Sequence, residues 1–160
     1  MGHKRVIQRR NWKNKTGHEN LFAGLLYCEN EHKLSFCPQE KDGVNLDHYK
    51  CYHFKRAGDT CSGGHYLRKE VLENLILNEL QELINSFQIN EADLLQRLKD
   101  KYAHNIEKFI TTIRKYTQLE NLTSKIVNEL IDKIIIHQPI GRGKNRQIKL
   151  EIHYRFIGDI

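Results

Sequence analysis

All four cysteines of the chain, Cys28, Cys37, Cys51 and Cys61, lie between residues 28 and 61, in a region that also carries Gly24, Pro38, Gly43, Gly58, Gly63 and Gly64. So many turn formers so close together leave room only for a small module of short elements. Leu25-Leu26-Tyr27, Leu34-Ser35-Phe36 and His48-Tyr49-Lys50-Cys51-Tyr52 have the β-branched, aromatic and alternating character of short strands, with Pro38 to Asn45 reading as turn. The expectation is an antiparallel ribbon. The polar, charged stretch Met1 to Lys15 lacks the apolar core of a signal peptide, which predicts a cytoplasmic chain. In a reducing compartment four cysteines serve as free thiols or metal ligands sooner than as two disulfides.

Charge narrows the partners. The 160 residues hold 26 Lys and Arg against 20 Asp and Glu, a formal net charge of +6, with an isoelectric point near 9.1. A polyanion is the first partner to consider. The excess is N-terminal: residues 1–70 carry 13 basic and 8 acidic side chains, residues 71–160 carry 13 and 12. Lys4, Arg5, Arg9, Arg10, Lys13 and Lys15 are interrupted by no acid, so this arm either lies on phosphates or is a solvated tail. The opening Met1-Gly2-His3 reads as the start of an expressed fragment of something longer. Apolar runs such as Leu130-Ile131 and Ile134-Ile135-Ile136 fall far short of the roughly 20 residues that span a bilayer, and no membrane partner is expected.

Zinc favours tetrahedral Cys and His donors presented in pairs by tight turns. Cys51 and Cys61 form one pair across a Gly-containing loop, and Cys28 opens the other. The thiolate expected two residues beyond Cys28 is missing, because the chain runs Cys28-Glu29-Asn30-Glu31-His32. His32, Glu31 and Cys37 are the alternatives for the fourth ligand, with His32 placed first. The plain alternative is a ribbon whose cysteines are small buried apolar residues that need no metal. His48, His53 and His65 read as surface or DNA-facing histidines sooner than as ligands.

From Leu67 the period becomes helical: Val71, Leu72, Leu75, Ile76, Leu80, Leu83, Ile84 and Phe87 recur every three or four residues. A second helix carries Leu95, Tyr102, Phe109 and Tyr116 at heptad spacing, the a/d pattern of a coiled coil. The link Gln88 to Glu91 permits only a reversal, so the two helices are expected to form an antiparallel hairpin. Its stripe either closes a core within the chain or stays partly open for another protein. A third helix starts at Leu122, capped by Thr123 or Ser124, with Ile126, Val127, Leu130, Ile131 and Ile134 on its apolar face. Ile134 to Gln138 and Gln147 to Phe156 read as strands joined by a loop. The second strand alternates Ile148, Leu150, Ile152, Tyr154 and Phe156 with polar residues, one face buried and one wet. A lone hairpin is marginal in water, and the ribbon of residues 21 to 52 is the nearest element to cover it.

These segments together resemble the C-terminal part of the large serine recombinases, the transposon and phage integrases that exchange DNA through a serine nucleophile. Leu21-Phe22-Ala23-Gly24-Leu25-Leu26-Tyr27-Cys28 looks like the entry to that family's zinc ribbon, Tyr49-Lys50-Cys51 like its middle strand, and Cys61 with His65 to Leu72 like its exit into a helix. Leu122-Thr123 through Asn128 to Ile134, and Ile152 to Gly158, look like the small domain that often ends transposon-type members. The resemblance runs from about residue 5 to 158. One departure is Glu31, where the family ribbon carries a second Cys.

The resemblance implies an α+β architecture: a small zinc-ribbon-like antiparallel β module with an inserted antiparallel coiled-coil helical hairpin and a C-terminal helix plus β-hairpin. Residues 1–20 would be a basic arm, 21–68 the ribbon, 69–120 the hairpin, and 121–160 a terminal unit packing back on the ribbon. It implies double-stranded DNA as partner and zinc as cofactor. Lys33, Lys50, His53, Lys55, Arg56, Arg68 and Lys69 would face the DNA and Arg9 and Arg10 would follow it from the arm, while Arg142, Lys144 and Arg146 read as a solvated turn. Leu95, Tyr102, Phe109 and Tyr116 would contact other recombinase subunits and control synapsis. Ser35, Ser62, Ser86 and Ser124 lack activating bases or an arginine cluster, so no catalysis is expected of this chain by itself. Two other classes compete: a zinc-ribbon and coiled-coil adaptor that binds protein without DNA activity, and a small metalloenzyme built on Cys28, His32 and Glu31.

Overall fold

The computed structural model describes residues 17–53, 61, 64–93, 96, 106–116, 118–141 and 146–157. Alternation of apolar and polar residues builds the first sheet from β2 (Leu34–Cys37), β5 (His48–Cys51) and β6 (Tyr66–Arg68), antiparallel in the order β2-β5-β6. Leu34 lies opposite Cys51, Phe36 opposite Tyr49 and Tyr49 opposite Leu67, so one face is apolar and packs inward. Between β2 and β5, β3 (Glu40–Lys41) and β4 (Val44–Asn45) form a small hairpin. It turns on Asp42 and Gly43 with φ of 53° and 75°, the left-handed pair that an Asp-Gly turn favours. This stretch was expected to be turn alone; the dipeptide is strong enough to pair the residues on either side of it.

The second sheet has the order β1-β7-β8, with β1 (Leu26–Cys28) parallel to β7 (Ile131–Ile136), and β7 antiparallel to β8 (Leu150–Tyr154). Leu26 lies opposite Ile134 and Cys28 opposite Ile136. The strand that leads into the cysteine region is therefore also an edge of the terminal sheet. Ile131 and Ile134 were expected on the third helix, but the β-branched run from Ile131 prefers extended backbone. Helix α3 (Ser124–Leu130) stops before it. Its start follows expectation, because the Thr123 hydroxyl accepts from the Ile126 N–H at 3.3 Å.

Helix α1 (Lys69–Ile89) begins two residues after Leu67; Leu67 itself stays in β6 because it packs opposite Tyr49. The first helical N–H, of Lys69, donates to the Asp47 carbonyl at 2.9 Å, tying the helix start to the ribbon. Leu72, Ile76, Leu80, Ile84 and Phe87 form its buried stripe, while Val71 and Leu75 are exposed. Helix α2 (Ile106–Arg114) buries Ile106, Phe109, Ile110, Thr112 and Ile113. An ion pair of Arg114 with Glu91 and a bond from the Gln81 amide to the Leu119 carbonyl at 2.7 Å join the two helical segments.

Two positions of the expected subunit-facing stripe have partners within the chain. Phe109 is fully buried and meets the Tyr154 ring edge-on at 5.8 Å, so it belongs to the chain's own core. Tyr116 donates its hydroxyl to Glu129 at 2.7 Å, and burial together with that carboxylate pushes its phenol up to about 12. Leu95 and Tyr102 lie outside the described residues. One apolar cluster runs from Phe22 and Leu25 through α1, α2 and α3 to Ile134 and Tyr154; Cys28, Cys51 and Cys61 form a second, separate one. No helix among the described residues is long and apolar enough to cross a membrane.

Candidate metal centre

The centre begins with a knuckle after β1. The Cys28 N–H donates to the His32 carbonyl and the Glu31 N–H to the Cys28 carbonyl, each at 2.9 Å, and Glu31 takes φ of 62° to close the turn. That turn delivers the Cys28 thiol inward. Cys51 arrives from the end of β5, and its N–H donates to the His65 carbonyl at 3.0 Å, which sets His65 beside it. Cys61 stands four residues before His65. Cys28, Cys51, Cys61 and His65 are all buried, and one donor atom from each lies within 4.8 Å of every other.

The distances suit a tetrahedral ion. Metal–sulfur bonds near 2.3 Å and metal–nitrogen bonds near 2.0 Å place sulfurs about 3.8 Å apart and sulfur about 3.5 Å from nitrogen. The Sγ atoms of Cys61 and Cys28 are 3.8 Å apart, and Cys61 Sγ is 3.3 Å from His65 Nδ1. None of the three cysteines is in a disulfide. Four converging donors shut away from water are costly unless something satisfies them, and a cation does so while holding the thiols as thiolates. The buried three-cysteine, one-histidine cluster is consistent with zinc.

The three expected fourth ligands all lie elsewhere. His32 uses its carbonyl to close the knuckle, and its ring stacks on His53 with centroids 4.0 Å apart. Glu31 points out and pairs with Lys133 at 3.5 Å. Cys37 sits opposite His48 on the face of β2 away from Cys51, because successive side chains of a strand alternate. Its thiol contacts the Ser35 carbonyl at 3.6 Å and the Tyr52 hydroxyl at 3.8 Å. His65, set aside in the sequence as a surface residue, is the fourth member. The available signal was the spacing in sequence, Cys61-Ser62-Gly63-Gly64-His65, a thiol and an imidazole four residues apart with two glycines between them.

The other side of the β2-β5-β6 sheet is partly open to solvent, with Tyr66 exposed and His48 buried. The register places Ser35, Lys50 and Tyr66 next to one another, then Cys37, His48 and Arg68. Lys50 lies 5.0 Å over the Tyr52 ring, the His48 ring tilts against Tyr66 at 4.8 Å, and Arg68 donates to the Asn45 carbonyl at 3.2 Å. Lys33 and Lys133 approach the Tyr27 ring at 5.9 and 5.0 Å. Of the DNA-facing candidates, Lys50 and Arg68 thus share one face, and Lys33 is exposed one residue before β2. Lys69 is half-buried against Glu73 at 3.6 Å, and His53 is exposed beside His32. Lys55, Arg56, Arg9 and Arg10 lie outside the described residues. Tyr27 and Lys133 were not anticipated. Arg146 is exposed and its guanidinium donates to the Tyr66 carbonyl at 2.9 Å, while Arg142 and Lys144 lie outside the described residues.

A buried acid braces this face from below. Asp47 accepts from the Gln39 N–H at 2.9 Å, from His18 at 2.8 Å and from the Asn45 amide at 3.3 Å. Burial alone would raise its carboxyl; the Gln39 N–H, His18 and Asn45 outweigh it and hold the group below the ordinary carboxylate range.

Against known families, residues 21–81 match the recombinase zinc beta ribbon domain, and residues 94–160 match a domain of unknown function (DUF4368). No curated protein and no solved structure matches the chain. The ribbon match supports a recombinase-associated region, and within recombinases that ribbon is a non-catalytic part. Residues 21–81 are thus similar in sequence to a recombinase zinc ribbon, and the donor set inside that segment is one that zinc suits.

Proposed function

We propose that this chain is the DNA-binding and subunit-interaction region of a site-specific serine recombinase, acting in the cytoplasm on attachment-site or transposon-end DNA. The observation that carries the reading is the outer face of the ribbon, where Lys50 and Arg68 stand with Tyr66 on the side of the sheet opposite the ligand Cys51, and Lys33 lies exposed just before β2. A major groove admits a narrow β element. On such an element the lysines serve phosphate contact and set position, while the planar guanidinium of Arg68 can also address a base edge. Zinc held by Cys28, Cys51, Cys61 and His65 would supply stiffness, joining the β1 knuckle to the end of β5 so that the cationic face keeps one shape. Tyr27 and Lys133 extend that face onto the terminal sheet. Other recombinase subunits are the second partner; since Phe109 packs inward, this contact and its control over synapsis fall to the segment that carries Leu95 and Tyr102.

Binding to a mixed-sequence duplex, followed by fluorescence anisotropy across a salt series, tests the reading. Affinity should fall steeply with salt, and Lys50→Ala should lower the slope of log affinity against log salt by about 1. The same loss should appear on every sequence. An absence of salt-dependent affinity for duplex DNA would favour the protein-binding adaptor instead.

A further inference from the structure

We infer that Glu29 is a positioning residue of the metal centre and joins that centre to the terminal sheet, an inference that rests on zinc being held by Cys28, Cys51, Cys61 and His65. His65 turns Nδ1 to the cluster, 3.3 Å from Cys61 Sγ. A metal at Nδ1 leaves the imidazole proton on Nε2, and a ligating histidine ordinarily gives that proton to a carboxylate or carbonyl. Here Nε2 is buried and has no hydrogen-bond partner among the described residues, while Glu29 Oε1 stands 3.6 Å away. A small side-chain adjustment brings that gap to the about 2.8 Å of a charge-assisted bond. Loading the centre fixes the proton that this bond requires.

The second oxygen of Glu29 faces the other way. Oε2 lies 3.5 Å from His137 Nδ1 and accepts from the Gln138 N–H at 3.4 Å. His137 Nε2 continues to Glu151 at 3.3 Å, and Glu151 to His153 at 2.7 Å, along the wet face of β7 and β8. The backbone makes the same connection, because the ligand Cys28 pairs with Ile136 next to His137. One carboxylate therefore orients the ligand imidazole with one oxygen and holds the end of β7 with the other. Metal occupancy is felt in the terminal sheet through it.

The test uses the full chain with the isosteric Glu29→Gln and with His137→Gln, singly and together. Zinc affinity is read by competition with a chelator, and amide exchange of β7 is read with and without zinc. Glu29→Gln should weaken zinc about 10- to 100-fold, the range for loss of an outer partner, while the cobalt-substituted protein keeps its tetrahedral absorption. His137→Gln should weaken zinc by a smaller factor in the unaltered chain and add nothing to Glu29→Gln. Removing zinc should speed exchange at the end of β7 in the unaltered chain only. Unchanged affinity in Glu29→Gln, or an equal effect of His137→Gln in both backgrounds, would overturn the inference alone. Failure of the unaltered chain to take up zinc would overturn the metal reading and this inference with it.

Discussion

The ribbon sheet and the terminal sheet contain three strands each and share one apolar core, to which the ribbon gives Tyr49 and Leu67, but they differ in what else holds them. In the ribbon β2, β5 and β6 have four, four and three residues, and where β5 ends the interior is three thiols and an imidazole. In the terminal sheet β7 and β8 have six and five residues, and Ile131, Ile134 and Ile136 are buried in the main core with Phe109 and Tyr154. Apolar burial is worth roughly 25 cal/mol per Å². Strands this short remove little area from water, so the ribbon needs a fastening that does not scale with area. A tetrahedral ion is one, so a small β module that sits against a hydrophobic core can still have a use for metal.

Cys61→Ser should produce the largest effect. Structural zinc contributes on the order of 10–16 kcal/mol in isolated finger peptides, more than a module of this size retains by packing. The variant should lose its metal and the amide protection of β5 and β6, while the interior of α1 and the middle of β7 stay protected in hydrogen exchange. Equal loss in both regions would show that they unfold as one unit and that the contrast between them is only local. Phe109→Ala attacks the other side. It should cost about 3–5 kcal/mol in denaturant unfolding and leave zinc stoichiometry at its original value. Asp47 sits at the joint between ribbon and α1, and Asp47→Asn should cost about 1–3 kcal/mol near neutral pH. Because its carboxyl is lowered in the folded chain, the stability it contributes is complete above the ordinary carboxylate value near 4 and is lost as pH falls through the lower folded value. The difference between Asp47→Asn and the unaltered chain should therefore shrink on acidification, and urea midpoints across an acid series would measure it.

Most of the elements were legible because each obeys a local rule. The stripe Leu72, Ile76, Leu80, Ile84 and Phe87 reads as one helical face, Thr123 reads as a cap, and the strands around Leu34 and Tyr49 alternate. Errors fell where two local rules compete. Leu67 fits the helical period and also the strand opposite Tyr49, and pairing with β5 decided it. Ile131 fits the apolar face of α3, yet the isoleucine run that follows favours a strand, and the place opposite Tyr154 was visible only once β8 was in position. Phe109 shows another limit: heptad spacing says that a residue lies on a stripe, and not which surface covers that stripe.

The sequence by itself determined that three cysteines and a run of turn formers would make a small module suited to a metal, and that an amphipathic helix would follow it. Tertiary structure alone decided that the fourth donor is His65, that β1 belongs to the terminal sheet, and that Glu29 stands between the two. The physical reason is that ligand choice, parallel strand pairing and outer-sphere contacts join residues far apart in the chain. Their distances depend on how several elements close together, and a local pattern carries information about only one element at a time.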